Sequence, residues 1–178
     1  LATQNFTTAT NAYNVAMGYD SGGDMTTGTL NTVVGGLAGN KLTDADRNVA
    51  VGYAALDADT LGSRTTAVGY GALSTQNFTT ATNSNNTAVG YSAGNAVTTG
   101  TANVCLGANA GDEMTTGSDN TIVGVSACGT GVVTGNDNTA VGRSAGANLT
   151  TGDNNLLLGH DAGHTGSPGG NINTENNE

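Results

Sequence analysis

A glycine recurs along this chain at a nearly constant interval of 17 residues, and this repeat constrains the fold more than any other feature of the sequence. The nine repeat glycines are Gly18, Gly35, Gly52, Gly69, Gly90, Gly107, Gly124, Gly142 and Gly159. Their successive intervals are 17, 17, 17, 21, 17, 17, 18 and 17 residues. A period this short indicates one small unit stacked on itself, rather than a globular domain built around a central core.

The residues one and two positions before each repeat glycine are apolar in every copy, as in Ala88 and Val89 before Gly90. Neighbouring side chains of a strand point to opposite faces, so these two rows lie on opposite sides of a sheet. A 17-residue coil is too thin to cover both faces. We therefore predict that one row fills the interior and that the other packs against another subunit.

These observations predict an all-β fold, a parallel β-solenoid (β-roll or β-helix) of about 17 residues per coil. We expect nine coils, two or three short strands in each coil, and a homotrimer. The solenoid is predicted over residues 1–164, followed by a polar tail or subunit junction at 165–178. The segment Leu1–Asn11 returns almost unchanged as Leu73–Asn83, which indicates a four-coil superrepeat at 1–72 and 73–144 with a partial third copy.

An asparagine stands four residues before the repeat glycine in every copy but one, where Thr65 replaces it. Stacked asparagines form ladders of side-chain hydrogen bonds. We predict such a ladder, with each amide bonded to the next one along the stack. Its members are Asn14, Asn31, Asn48, Asn86, Asn103, Asn120, Asn138 and Asn155.

The position directly after the repeat glycine is variable, which indicates a surface position. It holds Tyr19, Tyr53, Tyr70 and Tyr91 in four of the copies. Tyrosine combines an apolar ring with a polar hydroxyl and stacks on sugars. A cell-surface glycan is therefore the candidate ligand of this row.

The composition disfavours several classes of partner. The chain has a formal charge of −10 and only four scattered lysines and arginines, which disfavours nucleic acid. No apolar run approaches the length of a membrane span, so we expect no membrane insertion. We expect no cofactor, and we expect Cys105 and Cys128 to be free packing residues, with a disulfide as the alternative.

Two segments match the nucleophile-elbow pattern Gly-x-Ser-x-Gly, at Gly90–Gly94 and Gly142–Gly146. Their first glycines belong to the structural repeat, so we expect no catalytic residue and no enzyme activity. His160 and His164 are two ligands where a metal site needs three or four, and we expect no metal. The Asp- and Asn-rich turns offer oxygen ligands to Ca²⁺, but ordinary turn chemistry accounts for them.

The repeat Asn-Thr-Ala-Val-Gly-Tyr-Ser-Ala-Gly at Asn86–Gly94, with corners such as Thr98–Gly100 between copies, resembles repeats in the shafts of phage tail fibres. It is also similar to the head repeats of trimeric autotransporter adhesins. The resemblance covers about residues 1–164. Both families imply homotrimers of parallel β-rolls that project from a particle or a cell and bind surfaces.

The function expected from these patterns is structural: a rigid homotrimeric rod in a phage tail or head fibre that takes part in host attachment, located in the virion fibre or at a cell surface. The alternative is a bacterial extracellular filament of blocks stacked end to end, or the stalk of a trimeric surface adhesin. A third hypothesis is an ice-binding solenoid, suggested by stacked threonine pairs such as Thr98 and Thr99.

Overall fold

The computed structural model describes residues 11–129, 131 and 133–163, and this part of the chain forms a parallel β-solenoid without a helix. The expected fold class is therefore confirmed. Three predicted features lie outside the described residues: the start of the first superrepeat copy at 1–10, His164, and the tail at 165–178.

One strand precedes each repeat glycine, and these nine strands form a single parallel sheet in the order β1-β2-β3-β5-β7-β8-β9-β10-β11. Its strands are β1 (Val15–Met17), β2 (Thr32–Val34), β3 (Val49–Val51), β5 (Thr66–Val68), β7 (Thr87–Val89), β8 (Val104–Leu106), β9 (Thr121–Val123), β10 (Thr139–Val141) and β11 (Leu156–Leu158). A second, two-stranded sheet pairs β4 (Gly62–Ser63) with β6 (Thr82–Asn83).

Residues of the same row pair directly along the main sheet, so that Val33 lies opposite both Ala16 and Ala50. The 21-residue step keeps this register, because Thr66 of β5 pairs with Thr87 of β7. The chain therefore accommodates its extra residues outside the main sheet, and every coil presents the same row to its neighbour.

Three rows of side chains fill the interior. The first is the middle residue of each strand, from Val33 in β2 to Ile122 in β9. The second is the small residue three positions after the repeat glycine, such as Ala93. The third lies seven positions after the glycine and includes Met25 and Leu149, both fully buried. The narrow interior explains why alanine dominates the second row.

Each coil turns at residues with left-handed backbone, two and four positions after the glycine and five before it. Around β7 and β8 these residues are Ser92 (φ 51°), Gly94 (φ 59°) and Ala102 (φ 57°). A left-handed residue interrupts an extended strand. This differs from the expected two or three strands per coil. In the described residues, a second strand exists only at β4 and β6, with one isolated bridge between Met114 and Val133.

The repeat glycines mark the closest approach between coils. Gly107 has φ +133°, and a Cβ atom built on it would lie 2.7 Å from the carbonyl oxygen of Gly124 in the next coil. Glycine meets both demands because it lacks a Cβ and tolerates positive φ. The repeat glycines in the sequence therefore mark the positions where the backbones of successive coils come closest.

In two adjacent coils the core contains polar side chains at a position that is apolar in most other coils. In most coils a glycine four positions after the repeat glycine leaves room for a large side chain three residues later, as Gly39 does for Leu42. Two adjacent coils reverse this order, because Leu56 and Leu73 fill the space. The positions three residues later then hold the buried polar side chains of Asp59 and Gln76.

Asp59 is fully buried, and its carboxylate accepts three hydrogen bonds. Oδ2 accepts from Gln76 Nε2 at 2.6 Å, while Oδ1 accepts from the backbone N–H groups of Gly62 at 3.0 Å and Phe78 at 3.1 Å. Burial raises the pKa of Asp59, and these hydrogen bonds partly offset that shift.

The first prediction concerns the glycine contact. We expect Gly107→Ala to lower the free energy of unfolding by ~3 kcal/mol or more, because the new methyl group meets backbone that has no room to move. Gly36→Ala is the control, since its Cβ would meet the Tyr53 ring at 3.4 Å and the Tyr19 carbonyl oxygen at 3.9 Å, both ordinary contact distances, and its φ lies outside the left-handed region. It should change stability by about 0.5 kcal/mol or less. Urea unfolding followed by circular dichroism measures both, and equal losses would contradict the close-contact explanation.

The second prediction concerns pH. Because the folded-state pKa of Asp59 lies above its ordinary value of 3.8, the folded chain binds this proton more tightly than the unfolded chain. Its contribution to stability is therefore largest below the unfolded pKa and is lost as pH rises through the folded pKa. Urea unfolding between about pH 3 and pH 7 should show a shallower decline for Asp59→Asn than for the unmodified chain. Asp137→Asn removes the same charge from an exposed turn and should keep the original slope.

Candidate assembly surface

The outer face of the main sheet is uncharged and exposed, with an apolar row of third residues beside a row of first residues that are valine, leucine or threonine. Each strand turns its middle residue inward and its first and third residues outward, because strand side chains alternate. Met17 and Leu158 at the two ends of the sheet are 64% and 62% exposed, and the valines between them are half-buried. We call these outward first and third residues of the nine strands the assembly surface.

The assembly surface keeps apolar side chains exposed along the whole sheet. Its most exposed members are Val15, Met17, Val49, Val104, Leu106, Val141, Leu156 and Leu158. Contiguous exposed apolar patches of this kind mark interaction sites on soluble proteins. The assembly surface contains no charged residue, although the chain carries a formal charge of −10. Among the described residues, the charged side chains therefore lie elsewhere in the solenoid, and this one face is neutral.

The tyrosine row lies just beyond the ends of the strands and is exposed, as its variability predicted. Tyr53, Tyr70 and Tyr91 stack on one another, with ring centroids 5.4 Å apart at both steps and interplanar angles of 19° and 12°. Tyr19 lies two coils from Tyr53, with Gly36 between them in the row. Stacking in this register follows from the parallel sheet, since each coil places its tyrosine one strand spacing from the next.

At its C-terminal end the same row holds Arg143 and His160 instead of aromatic residues. The guanidinium of Arg143 contacts Nε2 of His160 in the next coil. Nδ1 of His160 in turn lies 3.1 Å from the carboxylate of Asp161. All three side chains are at the surface.

The asparagine row is buried from Asn31 onward and links successive coils. Oδ1 of Asn103 accepts the backbone N–H of Asn120 at 3.0 Å, and its Nδ2 donates to the carbonyl of Gly117 at 2.8 Å. Asn31, Asn48, Asn86, Asn120 and Asn138 repeat this pattern. The expected amide-to-amide bond is present between Asn120 and Asn103 and between Asn155 and Asn138. Elsewhere the amides donate to backbone carbonyls, and Asn86 also donates to the side-chain oxygen of Gln76. The ladder thus satisfies backbone groups that the turns leave without strand partners.

A second polar row, which the sequence reasoning missed, lies six positions before the repeat glycine. There the backbone N–H donates to a side-chain oxygen of the following coil, as from Thr29 to Asp46 at 2.7 Å and from Ser118 to Asn136 at 2.9 Å. These bonds point in the direction opposite to those of the asparagine row. The signal was available as a short polar side chain at this position in every coil after the first: Thr29, Asp46, Ser63, Ser84, Thr101, Ser118, Asn136 and Asp153.

The residues that matched chemical motifs lie in turns or in the core. Ser92 and Ser144 occupy the left-handed position two residues after a repeat glycine, and no helix follows either of them in the described chain. Cys105 and Cys128 are free and buried, and burial raises the pKa of each thiol to about 12. Over residues 11–129, 131 and 133–163, the surface has no pocket and no cluster of three metal-ligating side chains.

Comparisons with known proteins found no matching family model, no matching curated protein and no matching solved structure. The described residues contain no apolar helix of a length that would cross a bilayer. The geometry of the assembly surface and of the rows beside it therefore carries the functional inference.

The third prediction tests the asparagine row. Asn103→Ala should lower the free energy of unfolding by about 2–4 kcal/mol, because it leaves the Asn120 N–H and the Gly117 carbonyl without their partners in a buried position. Asn83→Ala is the control, since Asn83 is exposed at the end of β6. Its effect should be about 0.5 kcal/mol or less. Urea unfolding of the two variants measures the difference. Equal unfolding midpoints would show that the asparagine ladder does not contribute to stability.

Proposed function

We propose that this chain is a rigid segment of a fibre, and that three copies assemble side by side through the assembly surface. The fibre would be a phage tail or head fibre that takes part in host attachment. The observation that carries the proposal is the neutral, apolar outer face of a sheet on a chain that is otherwise acidic.

The extent of this face supports self-association. It runs along all nine strands of the main sheet, and apolar side chains are exposed from one end of the sheet to the other. The partner must offer a matching apolar surface of similar length, and a second copy of the chain does so. Packing around an axis parallel to the solenoid would keep all copies pointing the same way.

The mechanical role is supported by how the coils are joined. The inner strands pair with a neighbour on both sides, the turns between them exchange backbone hydrogen bonds, and two side-chain rows add further bonds in opposite directions. Because each coil contacts only its neighbours, such a stack extends along one axis. The acidic sides would keep a long rod soluble and oppose lateral bundling.

The number of copies and the source of the fibre are inferred from the repeat's resemblance to phage fibre shafts and trimeric adhesin heads. A bacterial extracellular filament, or the stalk of a surface adhesin, would use the same interface. The proposed location is the virion fibre or the cell surface.

One observation favours a second candidate function, binding to ice. Five of the nine outward first residues of the strands are threonines, namely Thr32, Thr66, Thr87, Thr121 and Thr139. They stand in register beside a row of valines, so the face is a regular array of methyl and hydroxyl groups. An ice-binding chain would be a monomer that produces thermal hysteresis, because self-association would cover this array.

The fourth prediction tests assembly. Light scattering over a range of protein concentrations should give the mass of a trimer, that is, three times the 17.4 kDa of the chain. The paired substitutions Val51→Glu and Val89→Glu place two charges in the assembly surface and should dissociate it to monomers. Circular dichroism should remain unchanged, because both side chains point outward.

The matched control adds the same two charges at exposed corner positions, Thr99→Glu and Thr116→Glu. It should stay trimeric. A monomer in the unmodified protein would overturn the trimer, and thermal hysteresis in that monomer would favour ice binding. A mass that grows without limit as concentration rises would favour a stacking filament.

A further inference from the structure

The tyrosine row is interrupted at Gly36, and the interruption leaves a slot with an aromatic residue on each side. Tyr19 and Tyr53 are two coils apart, which places their backbones about 9.6 Å apart at one strand spacing per coil. The stacked rings of Tyr53 and Tyr70 are 5.4 Å apart. A single ring inserted between Tyr19 and Tyr53 would therefore lie at about a stacking distance from both.

Gly36 forms the floor of this slot without a side chain of its own, and the Tyr53 ring lies beside it. A Cβ atom built there would meet two atoms of the Tyr53 ring, at 3.4 and 3.7 Å, and the carbonyl oxygen of Tyr19 at 3.9 Å. All three are ordinary contact distances. The position can thus carry a side chain without strain, and its lack of one leaves the space between the tyrosines unfilled.

Tyr19 and Tyr53, the two walls of the slot, have fewer ring partners than Tyr70 in the middle of the stack. Tyr70 has a stacked ring on each side, whereas Tyr53 has a ring partner only on the side away from Gly36. Tyr19 is 82% exposed, against 51% for Tyr53. At the other end of the stack, Tyr91 is followed in the row by Ala108 and then Val125, so an aromatic wall exists on one side only. Within the described chain, Gly36 is the one non-tyrosine position of the row that has a tyrosine on both sides.

The chemistry of the slot selects a flat, uncharged ring with apolar faces and polar edges. Aromatic faces are electron-rich and attract the slightly positive C–H groups of such a ring. The phenolic hydroxyls at the rim both donate and accept hydrogen bonds. The formal charge of −10 disfavours anionic ligands, including nucleotides, whose bases would otherwise fit between two aromatic rings.

We propose that Tyr19, Gly36 and Tyr53 form a binding site for one hexopyranose ring of the β-glucoside type. Such a ring carries all its substituents equatorially, so C–H groups cover both of its faces and both tyrosines stack on it. The slot lies beyond the strand ends, outside the assembly surface. It is complete within one chain, so it is independent of the proposed trimer.

The fifth prediction uses the intrinsic fluorescence of the full chain, which has five tyrosines and no tryptophan. Titration with methyl β-D-glucopyranoside should change the tyrosine emission saturably. Methyl β-D-galactopyranoside, which has one axial hydroxyl and so a broken apolar face, should bind more weakly. The compound p-cresol serves as a probe for an aromatic side chain from a protein partner, and its binding is followed by saturation-transfer NMR because it shares the tyrosine chromophore.

Two matched variants locate the site. Gly36→Tyr fills the slot and continues the stack, and it should weaken glucoside binding about tenfold or more, the scale of losing one stacked ring. Ala108→Tyr adds the same ring at the far end of the stack and should leave binding within about twofold of the unmodified chain. Tyr19→Ala removes one wall and should match the loss seen with Gly36→Tyr.

Three results would overturn the proposal: no saturable binding of the glucoside, unchanged binding in Gly36→Tyr, or binding of p-cresol without binding of the glucoside. Light scattering of the same samples separates this site from the assembly proposal. Absence of sugar binding together with the molar mass of a trimer would overturn the slot and leave the assembly proposal standing. Sugar binding together with the molar mass of a monomer would overturn the assembly proposal and leave the slot standing.

Discussion

The close approach of successive coils at the repeat glycines is the contact on which the rest of the structure depends. It brings the backbone of Gly107 so near that of Gly124 that no side chain fits between them. With the coils held at this spacing, every row stands directly above its equivalent. The Asn103 amide then reaches the backbone of Asn120, and the ring of Tyr70 meets its neighbours on both sides. Both ladders and the aromatic stack are consequences of one register.

The same register divides the surface into faces of different chemistry. A thin coil has little interior, and small side chains such as Ala93 already fill much of it. The remaining apolar side chains of the strands must point outward, which leaves a neutral face on an acidic chain. The acidic sides favour solubility, and the neutral face favours contact with a surface like itself. Assembly into a rod would satisfy both conditions, since it covers the apolar face and leaves the charges in water.

Much of this could be predicted because one period relates every coil to the next. The nine glycines, the inward and outward strand rows and the buried asparagines all follow from the spacing of 17 residues. The single strand per coil was harder to foresee. Residues such as Ser92 and Ala102 adopt left-handed backbone although nothing in their side chains requires it. Coil-to-coil hydrogen bonds impose that conformation, and propensity alone does not reveal it. The second polar row was missed because its members differ in type and share only their oxygen atoms.

The sequence by itself determined the solenoid, its period, the two apolar strand rows on opposite faces and the glycine row, while the structure decided which strand row faces the interior. Periodicity sets these features because residues one period apart become neighbours in space. Only the tertiary structure decided which groups the asparagine amides bond to and how the tyrosine rings stack on either side of Gly36. It also decided that Leu56 and Leu73 fill the space that larger residues fill in other coils, which leaves room for Asp59 and Gln76 to bond to each other. Those features depend on the direction in which each side chain leaves a turn. That direction is set by backbone angles that only the packed coils hold in place.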